Sequence, residues 1–275
     1  MGAMTTIQPA LFIGHGSPMT MITANPERSA LAALGERLLP APRAVVCVSA
    51  HWETQGRTHV TAAGHPRTIH DFRGFPAELS AWRYPAECPE WLVERVAGLI
   101  GEDMIARDAD WGYDHGTWGV LDLLFPGRHV PTLAMSLDRA RTPDEHLALA
   151  RKLSVLREEG VMIVGSGNIV HNLALWRQTA GTVPDWADAF RRRISAAVAR
   201  DDADALANLP GDDAAAAAAV NSGEHYLPLL YAVGARRTGD RAGVFNDTID
   251  GALSMTSYLF APVLPEGAEP LDPDQ

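Results

Sequence analysis

The sequence predicts one α/β domain with a central, mostly parallel or mixed sheet and helices on both faces. Short apolar runs rich in β-branched residues alternate with longer segments of helical periodicity. Prolines stand at the expected first turns of three helical segments, at Pro89, Pro143 and Pro184. No linker rich in Pro, Ser and Gly divides the 275 residues, and one large domain accounts for a chain of this length.

The apolar runs predict eight strands, and the helical periodicity predicts six helices. The buried strands are expected at 10–14, 44–49, 131–136 and 161–165, where each run is too short for a typical helix. Further strands are expected at 58–62, 104–107, 242–245 and 253–260. The helices are expected at 27–39, 89–100, 118–124, 143–158, 184–200 and 225–234.

Two segments depart from this alternation. Segment 64–89 is rich in Pro, Gly and aromatic residues and has little periodicity, and a loop of that length in a compact domain is usually functional or a lid. Segment 201–220 holds two acidic pairs and six consecutive alanines. We expect its alanines to form a surface helix without chemistry, capped by Asp212 or Asp213.

Composition limits the classes of partner and location. A formal net charge of −11 argues against nucleic acid, because phosphate binding needs a basic surface. No run approaches the roughly eighteen apolar residues of a membrane span, and no secretory signal is recognisable. Cys47 and Cys88 cannot build a disulfide framework, so the sequence predicts a cytoplasmic location. The sequence is compatible with a homo-oligomer but does not determine the oligomeric state.

The ends of the chain are expected to lie outside the domain. We interpret residues 1–4, Met-Gly-Ala-Met, as a remnant of cloning, and residues 266–275 as a flexible tail. The predicted domain therefore comprises residues 5–265.

Four histidines stand where a predicted strand or helix begins or ends: His15, His51, His171 and His225. Sites in open α/β sheets lie beyond the carboxyl ends of strands. Histidine is the commonest metal ligand and the usual acid or base near neutral pH. We therefore expect these dispersed histidines to form one site, although each alone could be a turn, surface or core histidine.

Neighbouring residues support a metal site more than other chemistries. Glycines flank His15 and allow close approach to a ligand, whereas Ser17 lies outside a Gly-x-Ser-x-Gly nucleophile motif. The segment Gly-Ser-Gly-Asn at 165–168 resembles a phosphate loop but has Val170 at the third glycine position, so dinucleotide binding is poorly supported. His171 is expected about one turn into the helix that follows.

Residue chemistry leaves two assignments open. Glu224 and His225 are adjacent, and adjacent helical residues point about 100° apart, so only one is expected in the site. Glu224 would complete a set of two histidines and one carboxylate, which suits Fe(II), whereas His225 would give three histidines, which also suit Zn²⁺. Asp114 either orients a ring nitrogen of His115 or caps a helix.

The order of these motifs resembles that of the class III extradiol ring-cleavage dioxygenases, and most closely the branch of DOPA 4,5-dioxygenase-like proteins. The similarity extends over most of the chain, from Leu11 to Phe260. Its motifs are GHGSP at 14–18, SAHW at 49–52, DFRGFP at 71–76, DHG-x-W at 114–118, SG at 166–167, HNL at 171–173 and EHYLPLL at 224–230.

The resemblance implies a mononuclear non-haem Fe(II) site that binds an ortho-dihydroxylated ring and O₂. It implies that His15, His51 and His225 are the ligands, with His225 in place of a glutamate of protocatechuate-cleaving relatives. It further implies an acid/base role for His171 and a substrate contact for His115. Members of this branch are often recovered with zinc, so Zn²⁺ can occupy such a site. We expect Ser17, His70 and Asp114 on the substrate side.

Two departures from the family's motifs leave the substituents of the substrate ring open. His70 stands where the family usually has Tyr, and Asn-Ser-Gly at 221–223 stands where it usually has His-Pro. Two other functions use the same ligands. One is a zinc-dependent hydrolase with Glu224 or Glu53 as its base, and the other is a non-catalytic metal-binding interaction protein.

Overall fold

A computed structural model describes residues 7–62, 64–179 and 181–272, which form eleven strands and ten α-helices. The strands are β1 (Ala10–Gly14), β2 (Ala44–Thr54), β3 (Thr58–Thr61), β4 (Ile105–Asp108), β5 (Thr132–Asp138), β6 (Val161–Gly167), β7 (Arg241–Asn246), β8 (Ile249–Asp250), β9 (Leu253–Ser254), β10 (Ser257–Ala261) and β11 (Glu269–Pro270). The helices are α1 (Pro26–Arg37), α2 (Ala77–Ala81), α3 (Glu90–Ile100), α4 (His115–Leu124), α5 (Pro143–Leu153), α6 (Leu173–Thr179), α7 (Asp185–Ala199), α8 (Ala203–Ala207), α9 (Ala214–Val220) and α10 (Leu227–Gly234). Short 3₁₀ helices occupy Pro18–Met21, Glu102–Met104 and Ser154–Glu159.

The main sheet is mixed, and its centre is parallel. Among the described residues its strand order is β11-β7-β10-β1-β6-β2-β5-β3-β4. Strand β6 pairs in parallel with β1 and β2, and β2 pairs in parallel with β5. Strands β10, β7 and β11 continue one side as antiparallel pairs. A parallel centre buries both faces, and the predicted fold class is confirmed.

Alternating side chains of the central strands enter two separate cores. Along β1, Ala10 and Phe12 belong to one core and Leu11 and Ile13 to the other. The first core is covered by α3, α5, α7 and α10, and the second by α1 and α4. Because successive side chains of a strand point to opposite faces, helices cover both faces of the sheet.

The eight predicted strands are present, with one change of form. The expected strand 253–260 is divided into β9 and β10, which belong to different sheets. The backbone N–H of Met255 donates to the carbonyl of Thr248 at 2.8 Å and extends the pairing of β9 with β8. The apolar pattern of the sequence does not indicate this division of the strand.

The helices depart from the predictions mainly at their ends. Helix α4 begins at His115, three residues before the expected start, because the Asp114 side chain accepts from the backbone N–H of Thr117 and caps it. Helix α10 begins at Leu227, so His225 precedes it. The alanine helix α9 is confirmed with Asp213 as its cap, but Ala216 and Ala219 are buried in the first core rather than exposed at the surface. Segment 64–89 also contains the short helix α2.

The predicted chain ends fall partly outside the described residues. Residues 1–4, interpreted as a remnant of cloning, and residues 273–275 of the expected tail lie outside them. In the described part of that tail, Glu269 and Pro270 form β11 and pair with β7. The domain bounds 5–265 stay a prediction. No helix within the described part of the chain is both long and apolar enough to cross a membrane.

One buried guanidinium connects four distant parts of the chain. Arg157 and Asp240 form an ion pair at 2.5 Å, with side chains 0% and 1% exposed. The same guanidinium donates to the carbonyls of Gln8, Ala235 and Phe260 at 2.6, 2.8 and 3.0 Å. A buried charge is stable only when it is paired and its donors are satisfied. Arg157 therefore joins the chain before β1 to α10 and β10.

We expect Asp240→Ala to lower the free energy of unfolding by about 3–5 kcal/mol, because it leaves a buried guanidinium without its counter-ion. Urea denaturation measures the change. Glu159→Ala is the matched control, since its partner Arg95 is 41% exposed and such a pair contributes at most about 1 kcal/mol. Equal losses for the two variants would contradict this role of Asp240.

Candidate metal centre

The parallel strands bring the predicted histidines to one edge of the sheet. His15 directly follows β1, and His51 lies in the carboxyl-terminal part of β2. His225 lies two residues before α10, and its carbonyl accepts from the backbone N–H of Asn168, just after β6, at 2.8 Å. The carboxyl ends of parallel strands share one edge, so residues far apart in sequence become neighbours.

Three of these imidazoles surround a common point. The ring centroids of His15 and His51 are 4.8 Å apart, and each lies 5.3 Å from that of His225. One ring nitrogen from each histidine lies within 4.8 Å of the other two. Such a set of three nitrogens matches the ligand type that Fe, Zn and Cu accept.

The Nδ1 atom of each ring is already engaged, which leaves Nε2 for the centre. Nδ1 of His51 donates to Oδ2 of Asp71 at 2.6 Å, and Nδ1 of His225 donates to Oε1 of Glu224 at 2.9 Å. Nδ1 of His15 lies 2.9 Å from Oγ of Ser166. A proton on Nδ1 leaves the Nε2 lone pair free for a metal. The donor set therefore fits a transition-metal ion.

The pKa shifts of two of these histidines favour the neutral imidazole. Burial, followed by the nearby His51 and His225, lowers the pKa of His15 well below its usual value. Burial also lowers the pKa of His225, although the hydrogen bond to Glu224 opposes it. For His51, burial acts in the same direction, but Asp71 and Asp114 outweigh it and raise the pKa. A cation at the centre would favour the neutral form of His51 as well.

Two glycines of β6 allow the segment of His225 to pack directly on the sheet. A Cβ atom at Gly167 would lie 2.2 Å from the carbonyl oxygen of His225, and one at Gly165 would lie 2.0 Å from that of Pro228. Both distances are too short for any side chain. The Gly-Ser-Gly segment that resembles a phosphate loop is therefore explained by this backbone contact.

His115 and His171 border the three-histidine cluster. The ring centroid of His115 lies 4.1 Å from that of His51. The ring of His171 stacks on that of His225, with centroids 3.5 Å apart and planes 6° from parallel. His171 forms an isolated bridge with Leu253 and precedes α6, so the expectation that it lies within a helix is wrong.

The pKa of His171 lies far below that of an ordinary histidine. Burial, followed by the adjacent His225, lowers its pKa to about 3. The sequence gives no sign of this shift, because both its burial and its contact with the ring of His225, 54 positions away, arise only in the folded chain.

The other expected site residues lie at different depths. Ser17 is exposed and its Oγ accepts from the backbone N–H of Met19 at 3.3 Å. His70 is half-buried, with Nε2 3.1 Å from the carbonyl of Trp82. Asp114 is fully buried and accepts from Ser49 Oγ at 2.6 Å. Roles of these three residues in substrate binding stay predictions.

Asp71 is the site residue that sequence reasoning missed. Nδ1 of His115 donates to Oδ2 of Asp71 at 2.9 Å, and Asp114 caps α4, so of the two alternatives for Asp114 the structure shows the helix cap. Burial raises the pKa of Asp71, but the hydrogen bonds from His115 and His51 outweigh burial and hold it well below the usual range. Its position at the start of the DFRGFP motif was the available signal.

The fold and the cluster together define an α/β protein with a candidate metal centre at the carboxyl ends of parallel strands. A family model described as the catalytic LigB subunit of aromatic ring-opening dioxygenase matches residues 9–248. The chain belongs to this family. The resemblance to class III extradiol dioxygenases is thereby confirmed, and the chain is an extradiol aromatic ring-opening dioxygenase.

Individual relatives are similar over nearly their whole length. A 4,5-DOPA dioxygenase extradiol of Escherichia coli (strain K12) is 39% identical over 260 residues, which cover 92% of this chain and 94% of the relative. The protein of the same name from Beta vulgaris is 31% identical, over 94% and 99% of the two chains. The crystal structure of an uncharacterized protein from Escherichia coli K12 has a TM-score of 0.77 at 34% identity, and the match covers 92% of this chain and 99% of that one.

We expect Gly167→Ala to weaken metal binding by about tenfold or more, because the new Cβ displaces the backbone of His225 and a displaced ligand loses affinity on this scale. Titration with Co²⁺ or Zn²⁺ in competition with a chelator measures the loss. Gly98→Ala on α3 is the control, because its Cβ meets nothing within 4 Å. Parent-like metal affinity of folded Gly167→Ala would contradict the prediction.

Proposed function

We propose that this dioxygenase cleaves a catechol-type ring, DOPA-like or otherwise ortho-dihydroxylated, with O₂ at a mononuclear non-haem Fe(II) site. His15, His51 and His225 are the proposed ligands. The observation that carries the proposal is the convergence of one nitrogen from each of these rings. When bound, Fe(II) would supply a template for both ring oxygens and a path for electrons to O₂.

His225, rather than Glu224, is the proposed third ligand. The Glu224 carboxylate already accepts from Ser222 Oγ at 2.8 Å and from His225 Nδ1 at 2.9 Å. Burial raises its pKa, but these hydrogen bonds outweigh burial and hold the pKa at about 2. An ionised Glu224 thus supports the neutral ring of His225 with Nε2 free.

His171 is the proposed proton carrier. A ring nitrogen of His171 lies within 4.8 Å of one of His225, a proposed ligand. With a pKa of about 3, the imidazole is neutral at pH 7 and has a free lone pair. A proton that leaves a catechol hydroxyl creates an anion nearby, which raises the affinity of His171 for that proton. The same nitrogen later returns the proton to an oxygen of the opened ring.

His115 is the proposed substrate contact. Burial lowers its pKa, although the hydrogen bond to Asp71 opposes this shift. The neutral ring donates through Nδ1 to Asp71, so Nε2 can only accept. We therefore expect His115 to accept a hydrogen bond from a substrate hydroxyl rather than to donate one.

Neither alternative function gains support from a particular contact. The hydrolase needs a free carboxylate base, but Glu224 is engaged by His225 and Ser222, and Glu53 pairs with Arg139 at 3.5 Å. A non-catalytic interaction protein does not account for a cluster of five histidines in a family of catalytic subunits. Both cysteines are buried and unbridged, which supports the proposed cytoplasmic location.

The direct test uses protein loaded with Fe(II) under anaerobic conditions. We expect O₂ uptake in an oxygen electrode with at least one catechol of a panel, and a yellow product that results from cleavage next to the hydroxyls. Iron content is quantified in the same samples. Zn²⁺-loaded protein is the control, since Zn²⁺ has no redox chemistry. Iron-loaded protein without uptake across the panel would overturn the proposal.

We expect His171→Ala to lower kcat by about 10²–10⁴-fold, the usual contribution of a positioned acid or base. Affinity for Co²⁺ or Zn²⁺ should change little, because His171 is not among the proposed ligands. His59→Ala is the control, since His59 pairs with Asp108 at 3.1 Å outside the cluster. A kcat equal to that of the parent would remove His171 from the mechanism.

A further inference from the structure

We propose that Asp71 is a positioning residue whose single carboxylate orients the rings of both the metal ligand His51 and the substrate-side His115. The proposal rests on the function proposed above. It assigns to the loop between β3 and α2 the task of orienting two rings of the site.

The Asp71 carboxylate accepts three hydrogen bonds from the site. Its Oδ2 accepts from Nδ1 of His51 at 2.6 Å and from Nδ1 of His115 at 2.9 Å. Its Oδ1 accepts from the backbone N–H of His115 at 3.0 Å. The two histidines belong to different elements, β2 and α4. A single oxygen therefore fixes two rings whose centroids are 4.1 Å apart.

Backbone pairing next to the site sets the position of Asp71. Thr68 and Tyr113 form a parallel bridge, in which Ile69 N–H donates to the Tyr113 carbonyl at 2.7 Å and Tyr113 N–H donates to the Arg67 carbonyl at 2.8 Å. Trp118 Nε1 also donates to the Ile69 carbonyl at 2.9 Å. Asp71 lies two residues after Ile69, and His115 lies two residues after Tyr113, so the pairing brings Asp71 within hydrogen-bonding distance of His115. The loop is thus held in register with the start of α4.

Only a carboxylate satisfies all three donors. An amide of the same shape has one oxygen and one NH₂ group. If the NH₂ group replaces Oδ2, it faces two Nδ1–H donors, and the rings must move their protons to Nε2 or turn away. If it replaces Oδ1, it faces the backbone N–H of His115. Each placement leaves at least one of the three donors without its present acceptor. A ring with its proton on Nε2 has no lone pair for a metal at that atom.

The first test measures metal binding without any turnover. For Asp71→Asn we expect the affinity for Co²⁺, in competition with a chelator, to fall by about 10–100-fold, the usual effect of removing a partner of a metal-bound histidine. The visible spectrum of the Co²⁺ protein should also change. Asp108→Asn is the matched control, since it makes the same change at the His59–Asp108 pair outside the cluster, and it should bind Co²⁺ like the parent.

The second test separates His51 from His115. Saturating Fe(II) compensates for weaker metal binding. Under this condition we still expect Asp71→Asn to lower kcat/KM by about tenfold or more, because His115 stays misoriented. The loss should be smaller when His115→Gln is already present, since residues that act through one another are not additive. Asp71→Glu keeps the carboxylate and should recover part of the Co²⁺ affinity.

Three results would overturn the role of Asp71. They are Co²⁺ affinity of Asp71→Asn within threefold of the parent, equal losses in Asp71→Asn and Asp108→Asn, and full additivity with His115→Gln. A parent that binds Co²⁺ but takes up no O₂ with Fe(II) would instead contradict the proposed function. In that case the Co²⁺ affinities of the variants still decide whether Asp71 positions His51.

Discussion

The parallel register of β1, β6 and β2 is the constraint on which the rest of the site depends. Gly14 at the end of β1 pairs with Gly167, and Ser49 of β2 pairs with Ser166. His15, which follows β1, and His51, in the carboxyl-terminal part of β2, thus lie at the same edge of the sheet. Ser166 lies between the two strands, with its hydroxyl next to His15. A slip of one residue would turn Ser166 to the opposite face and separate it from His15.

Burial and hydrogen-bonding partners from several elements act in opposite directions on the charge of the close histidines, and at His51 the carboxylates outweigh burial. Burial disfavours imidazolium ions, and neighbouring rings disfavour them further. The acceptors come from the loop at Asp71 and the turn at Glu224, while Ser166 contributes a hydroxyl from β6. Each contact engages Nδ1 of one ring and leaves its Nε2 free. The network that offsets the cost of burial is therefore the same network that prepares the proposed ligands.

The sequence predicts the fold and the strand-end histidines well, because both depend on local patterns. Apolar runs mark the strands, and His15 and His51 follow them directly. The partners of the rings are not predictable in this way. Asp71 is 20 and 44 residues from the histidines that it contacts, on a loop without periodicity. The placement of His171 before α6 likewise depends on its bridge to Leu253, a contact with a distant strand.

The partner of the His225 ring is adjacent to it in sequence, whereas the partner of the His51 ring is remote. The sequence therefore draws attention to Glu224 but not to Asp71. Glu224 and His225 are adjacent, and both are plausible ligands by residue type. The structure gives them complementary positions, because the carboxylate accepts from Nδ1 of its neighbour. His51 needs the same support but obtains it from a remote loop. In the sequence, the adjacent Glu224 and His225 therefore resemble two competing metal ligands, whereas the remote Asp71 seems unrelated to the site.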